Sequence, residues 1–248
     1  MRPNPYETPR YLHEYLLLHY GRPSDLCPFS FVPRDLLCFH ERLRREYLLP
    51  VRPRRQSLGL DLGCAVGRFT FELGRVVSQV LGLDNARSFI KTAQRMAKRH
   101  SLSVLVQESG ADFSSRRLVL PDTLRRSHVE FQVGDALDLA LLPEQGFQVV
   151  SAINLIDRLP RPRHLLGQLG RLVAPGGQLL IASPFTWLEE FTPPEEWVAS
   201  KDVPRLLRSD FRMARHGDLP FVIREHRRKY QLVVAEVFTF VRRDSVPG

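Results

Sequence analysis

Residues Leu58 to Arg68 read Leu-Gly-Leu-Asp-Leu-Gly-Cys-Ala-Val-Gly-Arg, and they constrain the fold more than any other stretch. A short apolar run passes through Asp61, Gly63 and Gly67 bracket a tight turn, and a helical pattern follows. Strand, glycine turn and helix in this order let an α/β protein bring backbone close to a nucleotide-like ligand. Cys64, Ala65 and Val66 fill the interval between the glycines. The Gly-x-Gly-x-x-Gly spacing of dinucleotide sites is therefore absent, which argues against a nicotinamide enzyme.

Strands and helices alternate after this turn. The pattern predicts strands over Ser57–Leu62, Gln79–Leu83, Val129–Val133, Val149–Asn154 and Gln178–Ser183. Helices are expected over Arg68–Val77, Arg87–His100 and Arg163–Val173, with Pro175-Gly176-Gly177 as a turn. Such alternation predicts a parallel sheet covered by helices on both faces. Ser103–Gln107 is strand-like, and the polar, arginine-bearing stretch after it reads as an inserted hairpin or surface loop. Val203–Arg215 reads as helical, and Phe221–Arg224 and Tyr230–Arg242 as two final strands that close one sheet edge. Before the core, helical spacing of Tyr11, Tyr15, Leu18 and His19 stops at Gly21. A loop over Ser24–Val32 leads to a second helix from Pro33, with Leu36, Leu37, His40, Leu43 and Tyr47 on one face. The arginines of Arg52–Arg55 close this segment, so the expected division is a helical cap over 1–56 and a core over 57–248 within a single-domain protein.

Bulk properties narrow the class. The 43% hydrophobic and 25% charged content fits an ordinary soluble globular protein. No apolar run approaches the roughly 20 residues of a membrane span, and the first ten residues lack a signal-peptide core. These features point to a cytoplasmic protein without membrane contact. Cys27, Cys38 and Cys64 have no metal-ligand spacing, nor do the 8 histidines, so no metal is expected. The net charge of +9 comes mostly from scattered arginines, in short clusters such as Arg125-Arg126 and Arg227 to Lys229. That scatter argues against a nucleic-acid partner.

The glycine interval points instead to S-adenosylmethionine (SAM), and the motifs follow in a matching order. The turn residues Gly63, Cys64, Ala65 and Gly67 would let backbone N–H groups approach the amino-acid end, with the helix N-terminus favouring its carboxylate. Asp61 would meet the ammonium, or else tie the turn together. Asp84, followed by Asn85, would accept both ribose hydroxyls, or cap the next helix. Asp135, with Ala136, would accept from the adenine amino group, or simply stabilise a turn. Asn154 ends the fourth core strand beside the expected sulfonium, or only caps that strand. Asp61, the Gly63–Gly67 turn, Asp84, Gly134-Asp135-Ala136 and Pro175-Gly176-Gly177 together resemble class I SAM-dependent methyltransferases across residues 57–183. The resemblance implies a Rossmann-like fold, with a mostly parallel seven-stranded sheet, an antiparallel C-terminal strand and an N-terminal helical lid. Methyl transfer needs a positioned, unprotonated nucleophile rather than a hydrolytic triad. Aromatic residues beside the paired acids of Pro184–Pro193 could hold a small cation, or form a packed helix with solvated glutamates.

Both ends of the chain carry a narrower resemblance. Tyr6-Glu7-Thr8, the run Glu14 to Gly21, Asp61 to Arg68, Asn154 to Pro160, Ser183 to Pro193, Leu219 to His226 and Arg228-Lys229-Tyr230 resemble the methyltransferase domain of ovothiol biosynthesis. That resemblance implies SAM-dependent N-methylation of the imidazole of 5-thiohistidine (4-mercaptohistidine), giving ovothiol A. It also implies a separate sulfoxide synthase as supplier of the thiolated histidine, since no synthase lies in this chain. Expected substrate contacts are Asp157 or Glu189 for the ammonium, Arg158 or Arg224 for the carboxylate, and Trp187 and Phe185 for the ring. Tyr15 would line the lid, and Asn154 and Asp157 would sit at the reacting atoms. Methylation of a protein histidine or an RNA base, and a non-catalytic SAM-binding scaffold, are the alternatives.

Overall fold

The computed structural model describes residues 4–51, 56–125 and 128–244. The Arg52–Arg55 cluster and Arg126 lie outside the described residues. Five strands run parallel: β1 (Leu58–Leu62), β2 (Gln79–Asp84), β5 (Val129–Val133), β6 (Phe147–Ile153) and β7 (Val173–Ser183). Two more complete the sheet, β8 (Phe211–His226) and β9 (Lys229–Arg242), in the order β5-β2-β1-β6-β7-β9-β8. β9 runs antiparallel to both its neighbours, so it alone opposes the rest. β3 (Ser101–Ser109) and β4 (Asp112–Val119) form a separate antiparallel hairpin. The helices are α1 (Pro9–Tyr20), α2 (Pro23–Leu26), α3 (Phe39–Tyr47), α4 (Arg68–Leu73), α5 (Arg87–Arg99), α6 (Pro162–Leu172) and α7 (Val203–Leu207). None of the described helices is long and apolar enough to cross a membrane.

The apolar content of the central strands follows from their position. Leu60 and Leu62 are fully buried, because a parallel strand is covered on both faces. One apolar cluster joins these residues to Leu165, Leu169 and Leu172 of α6 and to Phe238 and Phe240 of β9. A second cluster joins α1 and α3 to Phe69 and Phe71 of α4, Phe89 and Met96 of α5, and Phe221 of β8. Leu102, Val104, Val106 and Leu118 of the hairpin also enter this second cluster. The inserted hairpin therefore has a buried face and is more than a surface loop.

Several boundaries differ from the sequence expectation. The helix expected over Val203–Arg215 ends at Leu207, and a 16-residue strand begins at Phe211. Residues Arg212 to Asp218 are mostly exposed and polar because β8 is an edge strand, so neither helical nor apolar periodicity marks them. The same edge tolerates Pro220 inside the strand. α4 stops at Leu73, four residues early, where Gly74 follows. Pro175-Gly176-Gly177 lies inside β7 as a bulge: Val173 pairs with Phe147 while Gln178 pairs with Val149. Gly176 takes a left-handed φ of 70° there. Pro184–Trp197 forms no α-helix, only a 3₁₀ turn at Pro194–Glu196.

Arg224 belongs to this framework. Its Nη1 donates to the Asp25 carbonyl at 2.6 Å, and its Nη2 to Glu108 Oε2 at 2.7 Å. Glu108 also accepts from Arg116 at 2.8 Å and from the Ser114 hydroxyl. The side chain of Arg224 is 2% exposed, so it ties β8 to α2 and the hairpin. Arg224→Met should lower unfolding free energy by about 3 kcal/mol, the scale for breaking a buried ion pair. Urea denaturation at pH 7 measures this, and ligand binding at the sheet ends should persist in the folded variant.

Candidate active site

A cavity of about 830 Å³ opens at the C-terminal ends of β1, β2, β5 and β6. In parallel α/β sheets this is where ligands bind. Asp61, Gly63, Cys64, Ala65, Asp84, Asn85, Asp135, Ala136 and Asn154 all line it, as do Tyr15, Asp157 and Arg158. Among the expected site residues, Gly67, Phe185, Trp187, Glu189 and Arg224 do not.

The glycine turn is closed by its own surroundings. Gly63, Ala65 and Gly67 have φ of 67°, 48° and 93°. A Cβ at Gly67 would lie 2.5 Å from the Phe131 ring, so the glycine serves close packing rather than ligand contact. The Cys64 amide donates to the Leu83 carbonyl at 2.9 Å, and the Ala65 amide to Asp84 Oδ2 at 2.9 Å. The Gly67 amide donates to the Cys64 carbonyl at 2.9 Å, and the Arg68 amide to His19 Nδ1 at 3.2 Å. The Cys64, Ala65 and Gly67 amides, expected to face a ligand, are thus already engaged. α4 has only six residues, and its first amide is taken by His19.

The carboxylates are buried and partly satisfied. Asp61 accepts from Thr70 Oγ1 and Ser151 Oγ, each at 2.7 Å, which joins β1 to α4 and β6. Burial outweighs these bonds and pushes its pKa up to about 6. Asp84 accepts one backbone amide on each oxygen, from Ala65 at 2.9 Å and Ala86 at 2.8 Å. Burial raises its pKa to about 6 as well. Each oxygen keeps acceptor capacity for a further donor. Asp135 accepts from the Leu137 amide at 2.8 Å in a turn, and Asn85 Oδ1 accepts from Asn4 Nδ2 at 3.2 Å.

Across the cavity, Asn154 holds a left-handed φ of 51°, a strained state for a non-glycine residue. Its Oδ1 and Asp157 Oδ1 are buried with no hydrogen-bond partner among the described residues. Asp157 Oδ2 accepts from Arg158 Nη1 at 2.8 Å and from the Thr186 amide at 3.2 Å. Desolvation raises the Asp157 pKa. The Arg158 guanidinium lies 5.6 Å above the Phe191 ring.

The aromatic wall differs from the expected one. Phe185 and Trp187 line a separate recess with Val198, Ser200, Asp218 and Glu236, and Trp187 stacks on Trp197 at 6.4 Å. Phe185 itself has a φ of 51°, which turns the chain after β7. Glu189 is exposed, and Glu190 lines the cavity in its place. The tyrosine and phenylalanine rings at the cavity are Tyr6, Tyr15, Phe69, Phe89, Phe191 and Phe221. Tyr6 stacks on Phe191 at 6.0 Å and meets Tyr15 edge-on at 5.9 Å. Glu7 fastens the Tyr6 segment by accepting from the Arg87 and Ser88 amides at 2.5 and 3.1 Å. His19 and His40 also line the cavity. In sequence, Tyr6 and His19 stand out only as members of the resemblance runs Tyr6-Glu7-Thr8 and Glu14 to Gly21 and, for His19, by its helical spacing, and neither marks a cavity position.

Comparisons with known proteins agree with this geometry. A methyltransferase domain family matches residues 33–232. The chain belongs to that family. It is 23% identical over 183 residues to the ubiquinone biosynthesis O-methyltransferase of Xanthomonas campestris pv. campestris, covering 74% of this chain and 66% of that protein. The protein of the same name from Maricaulis maris is 28% identical over 150 residues, covering 60% and 47%. The chain thus spans less than two thirds of the length of these relatives. The N-methyltransferase NodS from Bradyrhizobium japonicum, solved with S-adenosyl-L-homocysteine (SAH), superposes with a TM-score of 0.56 at 16% identity. That match covers 93% of this chain and 98% of NodS. The [4+2]-cyclase SpnF superposes with a TM-score of 0.61 at 13% identity, covering 97% and 95%. The fold is that of the class I SAM-dependent methyltransferases.

Two opposing pH effects follow from the buried groups. Burial lowers the His19 pKa from 6.5 to about 3. Between those values the unfolded chain binds the proton and the folded chain does not, so stability falls as pH drops from 6.5. Asp61 and Asp84 rise from 3.8 to about 6, so the folded chain holds more protons in that window and their contribution to stability falls as pH rises through it. In urea titrations from pH 4 to 7, His19→Phe should flatten the acid loss, and Asp61→Asn should steepen it.

Proposed function

We propose that this protein uses SAM to methylate a ring nitrogen of 5-thiohistidine, giving ovothiol A. The observation that carries the reading is the Asp157–Arg158 pair set under aromatic rings at one cavity. An acidic and a basic group beside Tyr6, Tyr15 and Phe191 suit a small zwitterion with an aromatic ring. The resemblance of both chain ends to the ovothiol methyltransferase domain supports the same substrate.

The residues present fit the cofactor. Asp84 offers two acceptor oxygens at the end of β2 for a ribose diol, and Asp135 lies at the neighbouring strand end for the adenine. Bound SAM supplies a sulfonium methyl carbon open to in-line attack. The enzyme's own share is orientation and exclusion of water. Arg158, braced by Asp157 Oδ2 and the Thr186 carbonyl at 2.6 Å, pairs with the substrate carboxylate. Asn154 and Asp157 carry partnerless acceptor oxygens that suit an N–H of the substrate. As the new N–C bond forms, the methyl–sulfur bond would break with SAH as the leaving group, and the ring gives up its N–H proton. Asp157, whose pKa is raised by burial, is the acceptor positioned to take that proton. Because imidazole titrates near neutrality, a neutral nucleophilic nitrogen needs no strong base.

The relatives' names favour a second reading, O-methylation of a phenolic quinone precursor. One assay separates the two. The pure protein is incubated with SAM and either 5-thiohistidine or a catechol, and the products are weighed by mass spectrometry. Methylated thiohistidine is the expected result; a protein that binds SAM yet leaves thiohistidine unchanged rules out this substrate. Arg158→Ala should raise the KM for thiohistidine about tenfold, the scale of a charged hydrogen bond, while SAM binding stays within twofold. Asp84→Ala should weaken SAM binding by about ten- to a hundredfold in calorimetry.

A further inference from the structure

The proposed function leaves His19 and His40 unused, although both are buried and both line the cavity. Their position along the cavity is informative. Asp135 and Asp84 mark the adenine and ribose ends at β5 and β2, so the cofactor's amino-acid end falls beyond them, at β1 and the start of α4. A carboxylate placed there, beside Asp61, needs a hydrogen-bond donor. The glycine-turn amides of Cys64, Ala65, Gly67 and Arg68 are all engaged within the protein.

His19 sits at this point. Its Nδ1 accepts the Arg68 amide at 3.2 Å, which fixes the neutral tautomer with the proton on Nε2. No described residue bonds Nε2, and Nε2 is not among the sealed, partnerless atoms of the structure. Burial and the Arg68 charge keep the ring neutral, so it stays a donor on Nε2 across the physiological range. The ring is also held rigidly. His40 packs on it with centroids 4.2 Å apart, and the adjacent Tyr20 hydroxyl donates to the Val66 carbonyl at 2.6 Å. The end of α1 therefore grips the glycine turn at two points, Val66 and Arg68. The Arg68 guanidinium is turned away, donating to the His19 carbonyl and to Glu72.

We propose that His19 Nε2–H is the donor that holds the α-carboxylate of the cofactor's amino-acid end, the role expected of the α4 N-terminus. This rests on the SAM reading of the cavity and is independent of the methyl acceptor. His40 is a positioning residue that fixes the plane of the His19 ring.

Calorimetry with two probes tests the assignment. SAH carries the carboxylate; 5′-methylthioadenosine has the same adenosine and sulfur without it. His19→Phe keeps a flat ring in the same space and should weaken SAH about tenfold, the scale of one charged hydrogen bond, while methylthioadenosine binds as before. His19→Gln, which restores a donor near the Nε2 position, should recover part of the SAH affinity. Equal SAH affinity in wild type and His19→Phe overturns the assignment. So does parallel weakening of both probes, which marks a purely structural role. Wild-type protein that binds neither probe would instead remove the SAM reading itself, whereas failure of the thiohistidine assay alone leaves this assignment standing.

Discussion

The closed glycine turn between β1 and α4 is the constraint on which the site depends. Three left-handed residues in five reverse the chain in a space walled by Leu155 and Phe131. Such a turn exposes polar backbone, and buried amides must be paired. Here the partners come from three separate elements: β2 through the Leu83 carbonyl and Asp84, the turn itself, and α1 through His19, while the Tyr20 hydroxyl of α1 donates to the Val66 carbonyl. Asp84 thus has two tasks. It accepts the Ala65 amide and still presents oxygen to the cavity, so the β2 end of the cavity and the shape of the turn are mechanically one unit.

The same economy appears on the opposite wall. Asp157 orients Arg158 with one oxygen and leaves the other without a partner. A buried, half-satisfied carboxylate is unfavourable in the free protein and becomes favourable once a donor arrives. Asn154 adds a second such oxygen, held in a strained backbone state. The wall is built at a cost in stability, which is the usual condition of groups arranged for binding rather than for folding.

Much of this was legible in the chain because the core obeys simple periodicities. Buried parallel strands read as apolar runs, and the order of Asp61, Asp84 and Asp135 marks successive strand ends whatever the loops do. All three line the cavity. The edge was not legible. Arg212 to Asp218 form a strand only because β9 pairs with them, a long-range partner that local sequence does not announce. Arg224 looks like a free cation in sequence, yet Glu108 and the Asp25 carbonyl lie more than a hundred residues away. Phe185 and Trp187 were placed by their neighbours in sequence, but a left-handed Phe185 turns that segment toward another recess. Tyr6 and Phe191 meet only because Glu7 fastens the N-terminal segment to α5, again a contact between distant residues.

The β8–β9 hairpin carries a consequence for assembly. β7 pairs with β9 only over Glu236–Val241, so the rest of the hairpin, from Leu219 to Ala235, extends past the central sheet. α1 to α3 lie against it: Phe39 packs on Phe221 at 4.4 Å, Tyr47 donates to the Asp218 carbonyl, and Asp25 accepts Arg224. During synthesis the helices emerge first, and the surface that covers them emerges roughly 170 residues later. Until then the faces that meet Asp218, Phe221 and Arg224 lack that part of their cover, and closing so long a loop is slow.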